Sequence, residues 1–341
     1  MYKMKVVSTF SGCGGSSLGY KMAGMDVLAC VEFIENAVDC YKKNFPDAKV
    51  FFDDVRNVCG EDILKELNLN VGELDILDGS PPCASFSMSG IREKGWNKVK
   101  AYSSKKQRVD DLFFEFIRLA DQIRPKFCVN ENVKGLTIGE SKKVLNEIVH
   151  QFMKIGYTCF YKILNGTDFG APQNRERVIF VSVRNDLLYR SFTYPNPTYS
   201  SEKISVKDAI ENIKNDPDEL KFLFEAANKY KAYEFYDSVN VGENHYKAFN
   251  FGKNRWDLPS RTLVQTESDV SARGICHPFE KRRHTIKEVK RLMGFPDDFI
   301  LVGAWKQKYE RLARSVNPQV ICAVAKSIEK YYNKRNKKQF F

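Results

Sequence analysis

The feature that most constrains the fold is a repeated alternation, across the first half of the chain, of short apolar runs with segments of helical apolar spacing. Lys5 to Phe10 reads as a strand, Gly15 to Met25 as a helix and Val27 to Val31 as a second strand. Asn36 to Asn44 is helical and is stopped by Phe45-Pro46. Val50 to Phe52 and Leu74 to Leu77 follow as strands, Leu112 to Ile123 as a helix ending before Pro125, and Phe127 to Val129 as a strand. Lys142 to Met153 is a helix, and Tyr157 to Leu164 and Arg177 to Val183 close the set as strands. Strand–helix repetition of this kind predicts an α/β fold with a mostly parallel sheet and helices on both faces. Crossovers in such a sheet are right-handed, and ligands bind beyond the carboxyl ends of its strands.

The pattern breaks after about Asn185. Residues 190–260 are rich in Tyr, Phe, Asn and Lys, with Pro195 and Pro197 at the entry, and read as a smaller, irregular second domain. Thr285 to Met293 and Val320 to Tyr332 return to helical spacing. A length of 341 residues suits two domains. The boundaries expected are 1–187 for the first domain, completed by 309–341, and 188–308 for the second.

No run approaches the ~18 apolar residues of a membrane span, and the apolar start at Val6-Val7 is too short for a signal peptide. Nine Cys without a C-x-x-C pair, and only four His, argue against a zinc site or a disulfide framework. Reduced thiols in a cytoplasmic protein are expected. Lys and Arg number 54 against 43 Asp and Glu, a net charge of +11. That excess suits a polyanionic partner, or simply lysine used on every solvated face.

Six loci carry chemistry. Phe10-Ser11-Gly12-Cys13-Gly14-Gly15 follows the first strand and opens a helix, where glycines allow a tight turn and close backbone approach to a ligand. Glu32 ends the second strand, where a carboxylate can accept from ribose hydroxyls, and Asp54 follows the third. Gly79-Ser80-Pro81-Pro82-Cys83 follows the fourth strand, and two prolines stiffen the backbone before a candidate nucleophilic thiol. Glu131-Asn132-Val133 ends the fifth strand and faces the same crevice, while Gln173-Asn174-Arg175-Glu176-Arg177 precedes the last. Each locus alone also has a plain reading as a turn, a buried Cys or a surface charge pattern.

Together, and in this order, they resemble the cytosine-C5 DNA methyltransferase family. Phe10 to Gly15 is similar to its first AdoMet motif, and Glu32 and Asp54 to its two acidic cofactor contacts. Pro81-Pro82-Cys83 resembles the nucleophile motif, Glu131-Asn132-Val133 the ENV motif, and Gln173, Arg175 and Arg177 the QxRxR motif. Pro259-Ser260-Arg261-Thr262-Leu263 is similar to the motif that supports the recognition domain, and Val316 and Pro318 lie in the last motif. Cys83 is the discriminating residue, since amino methyltransferases carry an aromatic after Pro-Pro.

The resemblance implies a Rossmann-like AdoMet-dependent domain with a target-recognition domain at 188–308. It implies catalytic roles for Cys83, Glu131, Arg175 and Arg177. AdoMet, converted to S-adenosylhomocysteine, would be held by Phe10, Ser11, Gly12, Cys13, Gly14, Glu32, Asp54, Val55, Pro82, Leu112, Arg314, Ser315 and Val316, with no metal. Residues 84–104, with Ser85, Ser87, Lys94 and Lys98, would form a lid on the DNA backbone. Double-stranded DNA is the implied partner of a monomeric enzyme, with a cognate restriction endonuclease as its counterpart and no membrane contact. A tRNA cytosine-C5 methyltransferase shares Pro-Pro-Cys and Glu-Asn-Val and is the alternative, as is a silent relative that only binds. The last motif departs from the family pattern, because Ala313 and Arg314 stand where Gly and Asn are usual. Arg314 would either pair with a carboxylate or phosphate, or reach the donor and favour a carboxylated AdoMet.

Overall fold

A computed structural model of the chain describes residues 2–81, 100–102, 105–107, 112–199 and 201–338. They divide into two compact units, one of residues 1–164, 176–196 and 320–341, the other of residues 165–175 and 197–319.

The first unit opens with β1 (Lys5–Thr9), α1 (Gly15–Met22), β2 (Asp26–Val31), α2 (Glu35–Asn44), β3 (Lys49–Phe51), α3 (Gly60–Glu66) and β4 (Ile76–Gly79). A short antiparallel hairpin, β5 (Lys100–Tyr102) and β6 (Lys105–Gln107), precedes α4 (Leu112–Ile123). Then come β7 (Phe127–Val133), α5 (Ser141–Lys154), β8 (Tyr157–Asn165) and β9 (Glu176–Arg184). Seven strands form one sheet in the order β3-β2-β1-β4-β7-β9-β8. The pairs β3–β2, β2–β1, β1–β4 and β4–β7 are parallel, and β9 runs antiparallel to β7. The Rossmann-like α/β arrangement expected from the alternation is therefore present. The strand order reverses at β1, with β2 on one side and β4 on the other, so the carboxyl ends of β1 and β4 flank a crevice of the kind that receives ligands.

The sheet's core explains why these segments fold as they do. Leu112, Phe113, Phe116, Ile117, Leu119, Ala120 and Ile123 of α4 are all buried, a stripe at helical spacing. They pack with Val7, Leu77, Cys128 and Phe180 from the strands and with Leu145, Ile148 and Phe152 of α5. α4 stops at Arg124, whose φ of 55° precedes Pro125. Two segments exceed expectation. β7 continues to Val133, so Glu131 and Asn132 lie within the strand and inherit its alternation of faces. α3 fills a stretch to which the apolar pattern assigned no element, and only Gly60, Ile63 and Leu64 of it are buried.

The second unit holds α6 (Val206–Ile210), α7 (Pro217–Lys229), β10 (Asn244–His245), β11 (Ala248–Lys253), β12 (Ile275–Cys276), α8 (Ile286–Leu292) and α9 (Trp305–Arg314). The expectation of an irregular 190–260 is corrected by α7. Asp216 caps that helix by accepting from the Asp218 amide, and Pro217 occupies its first turn. The strands form a three-stranded sheet in the order β10-β11-β12. Phe251 and Cys276 from that sheet pack with Ala227, Tyr233 and Tyr236. A buried bidentate pair, Arg282 to Glu288 at 2.9 and 2.8 Å, ties α8 to the segment before it. α10 (Pro318–Lys338) ends the chain. Among the described residues no helix is long and apolar enough to cross a membrane.

Candidate active site

The turn after β1 is built from backbone conformations that few residues adopt. Phe10 (φ 51°) and Gly12 (φ 55°) are left-handed, and Gly14 (φ 103°) caps α1. A Cβ on Gly14 would come within 2.4 Å of the Phe45 ring, so only glycine fits there, whereas nothing lies within 4 Å of a Cβ built on Gly12. Cys13 is fully buried and Ser11 nearly so. Glu32 fastens this turn from β2. Its Oε2 accepts from the Gly12 amide at 2.7 Å, and its Oε1 accepts from the Phe33 and Ile34 amides, both at 2.9 Å. A carboxylate offers about four acceptor positions, so three amides leave room for a ligand hydroxyl.

Asp54 caps the short helix Val55–Asn57 and pairs with the Arg56 guanidinium at 3.2 and 3.1 Å. Val55 and Leu112 are buried in the core of the same unit. The residues present therefore fit a nucleoside donor: an open left-handed turn, a carboxylate with spare acceptor capacity, and a second carboxylate at the next strand end.

At the end of β4 the neighbouring strand takes charge of the backbone. The Asn130 side-chain Nδ2 donates to the Gly79 carbonyl at 3.3 Å, and the Asn132 side-chain Nδ2 to the Pro81 carbonyl at 3.4 Å. Pro82, Cys83, Ser85, Ser87, Lys94 and Lys98, with the lid expected over 84–104, lie outside the described residues apart from the backbone of 100–102. Glu131 stands opposite Ile179 in the β7–β9 ladder, which makes Arg177 its diagonal neighbour. The Arg177 Nε lies 2.7 Å from the Glu131 carboxylate, with side-chain exposures of 18% and 12%. Arg177 also donates to the Glu176 carbonyl at 2.8 Å.

A carboxyl that sequence reasoning passed over lies beneath this edge. Asp78 of β4 is 2% exposed. Its Oδ2 accepts from the Ser8 hydroxyl at 2.8 Å and its Oδ1 from the Tyr20 hydroxyl at 3.0 Å. Burial pushes the Asp78 carboxyl up to about 7, against the opposing pull of its hydroxyl partners. The signal available was a lone acid inside the otherwise apolar Ile76-Leu77-Asp78-Gly79.

In the second unit, the Arg175 guanidinium is buried and donates to the carbonyls of Leu263 (3.3 Å), Ala313 (2.9 Å) and Ser315 (3.3 Å). One side chain thus holds two of the motifs together. Gln173 bridges to Ser260, the Asn174 amide donates to the Ser260 carbonyl at 2.7 Å, and Thr262 donates to the Asn174 carbonyl at 2.6 Å. Ser315 returns its hydroxyl to the Arg311 carbonyl at 2.7 Å, and Val316 is buried. The Arg314 Nε meets Glu310, one turn earlier on α9, at 2.8 Å. Of the two outcomes expected for this residue, the carboxylate pair is the one present. Among the described residues no cluster suits a metal ion.

Residues 4–330 match the family model described as C-5 cytosine-specific DNA methylase. The Type II methyltransferase M1.HphI of Haemophilus parahaemolyticus is 30% identical over 95% of this chain and 86% of its own length. M.FnuDI of Fusobacterium nucleatum, also named a Type II methyltransferase, is 30% identical over 98% and 96%. A crystal structure titled as a putative DNA modification methyltransferase encoded within an Escherichia coli prophage has a TM-score of 0.75 at 24% identity. It covers 97% of this chain and 100% of that one, and at this identity it speaks for the fold.

Proposed function

Because the chain belongs to the C-5 cytosine-specific DNA methylase family, we propose that it transfers a methyl group from AdoMet to C5 of a cytosine flipped out of duplex DNA. The observation that carries this reading is the Glu131–Arg177 pair on adjacent strands, at the edge where Asn130 and Asn132 hold the backbone leading to Cys83.

C5 of cytosine is not nucleophilic until C6 has been attacked. The Cys83 thiolate forms a bond to C6, and the electron pair of the C5–C6 double bond moves into the ring. Glu131 hydrogen-bonds N3 and gives it a proton as that charge arrives. Arg177 orients Glu131 and offers its remaining N–H groups to O2. AdoMet, when bound, supplies the electrophilic methyl group that C5 accepts. Loss of the C5 proton to a base, departure of the Cys83 thiolate and return of the N3 proton to the Glu131 carboxylate restore the aromatic ring. The target lies inside the base stack, so flipping costs a few kcal/mol before chemistry begins.

Phe10 to Gly14, Glu32, Asp54, Val55 and Leu112 would hold the donor from the first unit, with Pro82, Arg314, Ser315 and Val316 assigned by family resemblance. Arg175 acts by holding the carbonyls of Leu263, Ala313 and Ser315 in place. Base readout belongs to 188–308, where Tyr246 stands 83% exposed beside Lys247. The relatives named Type II methyltransferases support a place in restriction–modification, with a cognate endonuclease reading the same site. The enzyme would act as a cytoplasmic monomer.

The test is transfer of tritium from labelled AdoMet to duplex DNA, to tRNA and to a control without nucleic acid. Counts in duplex DNA alone are expected. Counts in tRNA alone overturn the substrate, and none in either leaves only a binding protein.

A further inference from the structure

Asp78 takes no part in the chemistry above, yet it is bonded on both sides of the donor turn. Register pairs Ser8 of β1 with Asp78 of β4, two residues before Phe10. Upstream of the turn, the Ser8 hydroxyl donates to the Asp78 carboxylate and the Thr9 hydroxyl donates to the Asp78 carbonyl at 3.0 Å. Downstream, α1 contributes the Tyr20 hydroxyl at 3.0 Å, and Ser16 from its first turn. One buried residue therefore joins the strand that enters Phe10–Gly14 to the helix that leaves it.

We propose that Asp78 is a positioning residue of the donor site, a buried carboxyl that braces the Phe10–Gly14 turn from below and makes affinity for the sulfonium donor depend on pH. The inference rests on the AdoMet reading given above. As a carboxylate, Asp78 accepts from Ser8 and Tyr20 at once. As a neutral acid, one of its oxygens carries a proton, and one hydroxyl must turn round to accept it. The ionised form is the better brace, and its negative charge is the one that a bound cation favours.

Burial keeps four of the titratable groups around Asp78 protonated. Tyr20 on α1 and Tyr41 on α2 are fully buried, and burial holds both hydroxyls protonated. On β2 the Cys30 thiol is pushed up to about 12, and on β7 the Cys128 thiol is raised well above its usual range by burial. Glu131 on β7 is the remaining acid that acts on Asp78, and Arg177 pairs with it. Asp78 itself, pushed up to about 7, changes form within the working range of pH. The sign follows from linkage. A cation prefers the carboxylate, so the donor binds more tightly above the Asp78 pKa, and binding near pH 7 releases part of a proton.

The experiment is calorimetric titration of the full chain with AdoMet from pH 6 to 8.5, in two buffers of different ionisation enthalpy. The α-amino group of AdoMet titrates in the same range, so the quantity read is the difference between parent and Asp78→Asn. A shift of a half to one pKa unit on binding gives the parent a further about three- to tenfold gain in affinity across the range. It also gives a proton release near pH 7 that Asp78→Asn lacks. Tyr20→Phe keeps the carboxyl but removes one donor to it, so its midpoint moves to higher pH. S-adenosylhomocysteine lacks the sulfonium charge and shows the flatter profile. Coincident profiles for parent and Asp78→Asn overturn the proposal. If Asp78→Asn does not fold, an unmoved midpoint in Tyr20→Phe overturns it instead. A chain that melts cooperatively yet binds no AdoMet at any pH overturns the donor reading, and this inference with it. Binding with a flat profile overturns this inference alone.

Discussion

Replacing Glu131 by Gln separates the two things this side chain does. Gln can still present an oxygen to the Arg177 Nε, which now lies 2.7 Å from the carboxylate. The contact falls from an ion pair to a hydrogen bond between the guanidinium and a neutral oxygen, a loss of roughly 1 kcal/mol in stability. The proton for N3 is lost outright, because an amide cannot serve as the acid. General acid help of about 10²–10⁴ corresponds to roughly 3–5 kcal/mol on the barrier. The chemical penalty therefore exceeds the structural one several-fold, and the two appear in different measurements. Rapid-quench single turnovers at saturating DNA and labelled AdoMet are expected to slow by that factor, while AdoMet affinity holds and the melting temperature moves by only a few degrees. A single-turnover rate within about threefold of the parent would refute the assignment of Glu131 as the acid.

Cys83→Ala is expected to abolish methyl transfer while DNA binding persists, because phosphate contacts supply most affinity; duplexes with 5-fluorocytosine at the target should trap the parent as a slower band on a denaturing gel, and no such band with active enzyme removes Cys83 as nucleophile. Glu32→Ala should weaken AdoMet binding by roughly 1.5–3 kcal/mol on calorimetry and also lower the melting temperature, since the Gly12, Phe33 and Ile34 amides lose their acceptor; unchanged affinity would take Glu32 off the donor. With Arg314 paired to Glu310, a competition between AdoMet and carboxy-AdoMet is expected to yield 5-methylcytosine by mass spectrometry in the parent and in Arg314→Asn alike. A carboxymethylated base made by the parent and lost in Arg314→Asn would show that the guanidinium reaches the donor.

What could be read from the residues follows the range of the forces involved. The turn at Phe10–Gly14 and the acid at Glu32 were legible because a glycine run between an apolar strand and a helix is a local pattern. α7 was not, since Phe222 and Phe224 point outward at 43% and 38% exposure and break the apolar stripe that marks a helix. α9 was hidden by its charge, because only Tyr309, Arg311, Leu312 and Ala313 are buried along ten residues. Asp78 escaped because an acid in a strand reads as a solvent-facing position. Its burial is created by Tyr20 and Ser8, which only the folded sheet brings to it. The contact between Glu131 and Arg177 depends on the register of an antiparallel pair, and register is set by the whole sheet.

The reversed direction of β9 also decides when Glu131 acquires its partner during synthesis. Had β9 run parallel to β7, Arg177 would have entered level with Phe127, about 13 Å along the strand from Glu131. Running the other way, it arrives where Glu131 leaves, but only after the chain has looped out and returned. The pair can close only once residues up to Arg177 have been made, later along the chain than the pairings among β1, β2, β3 and β4. A nascent chain that has emerged only as far as β7 carries Phe10–Gly14 and Cys83 but no guanidinium beside Glu131. Ribosome-bound fragments ending before Arg177 therefore lack the Glu131–Arg177 ion pair.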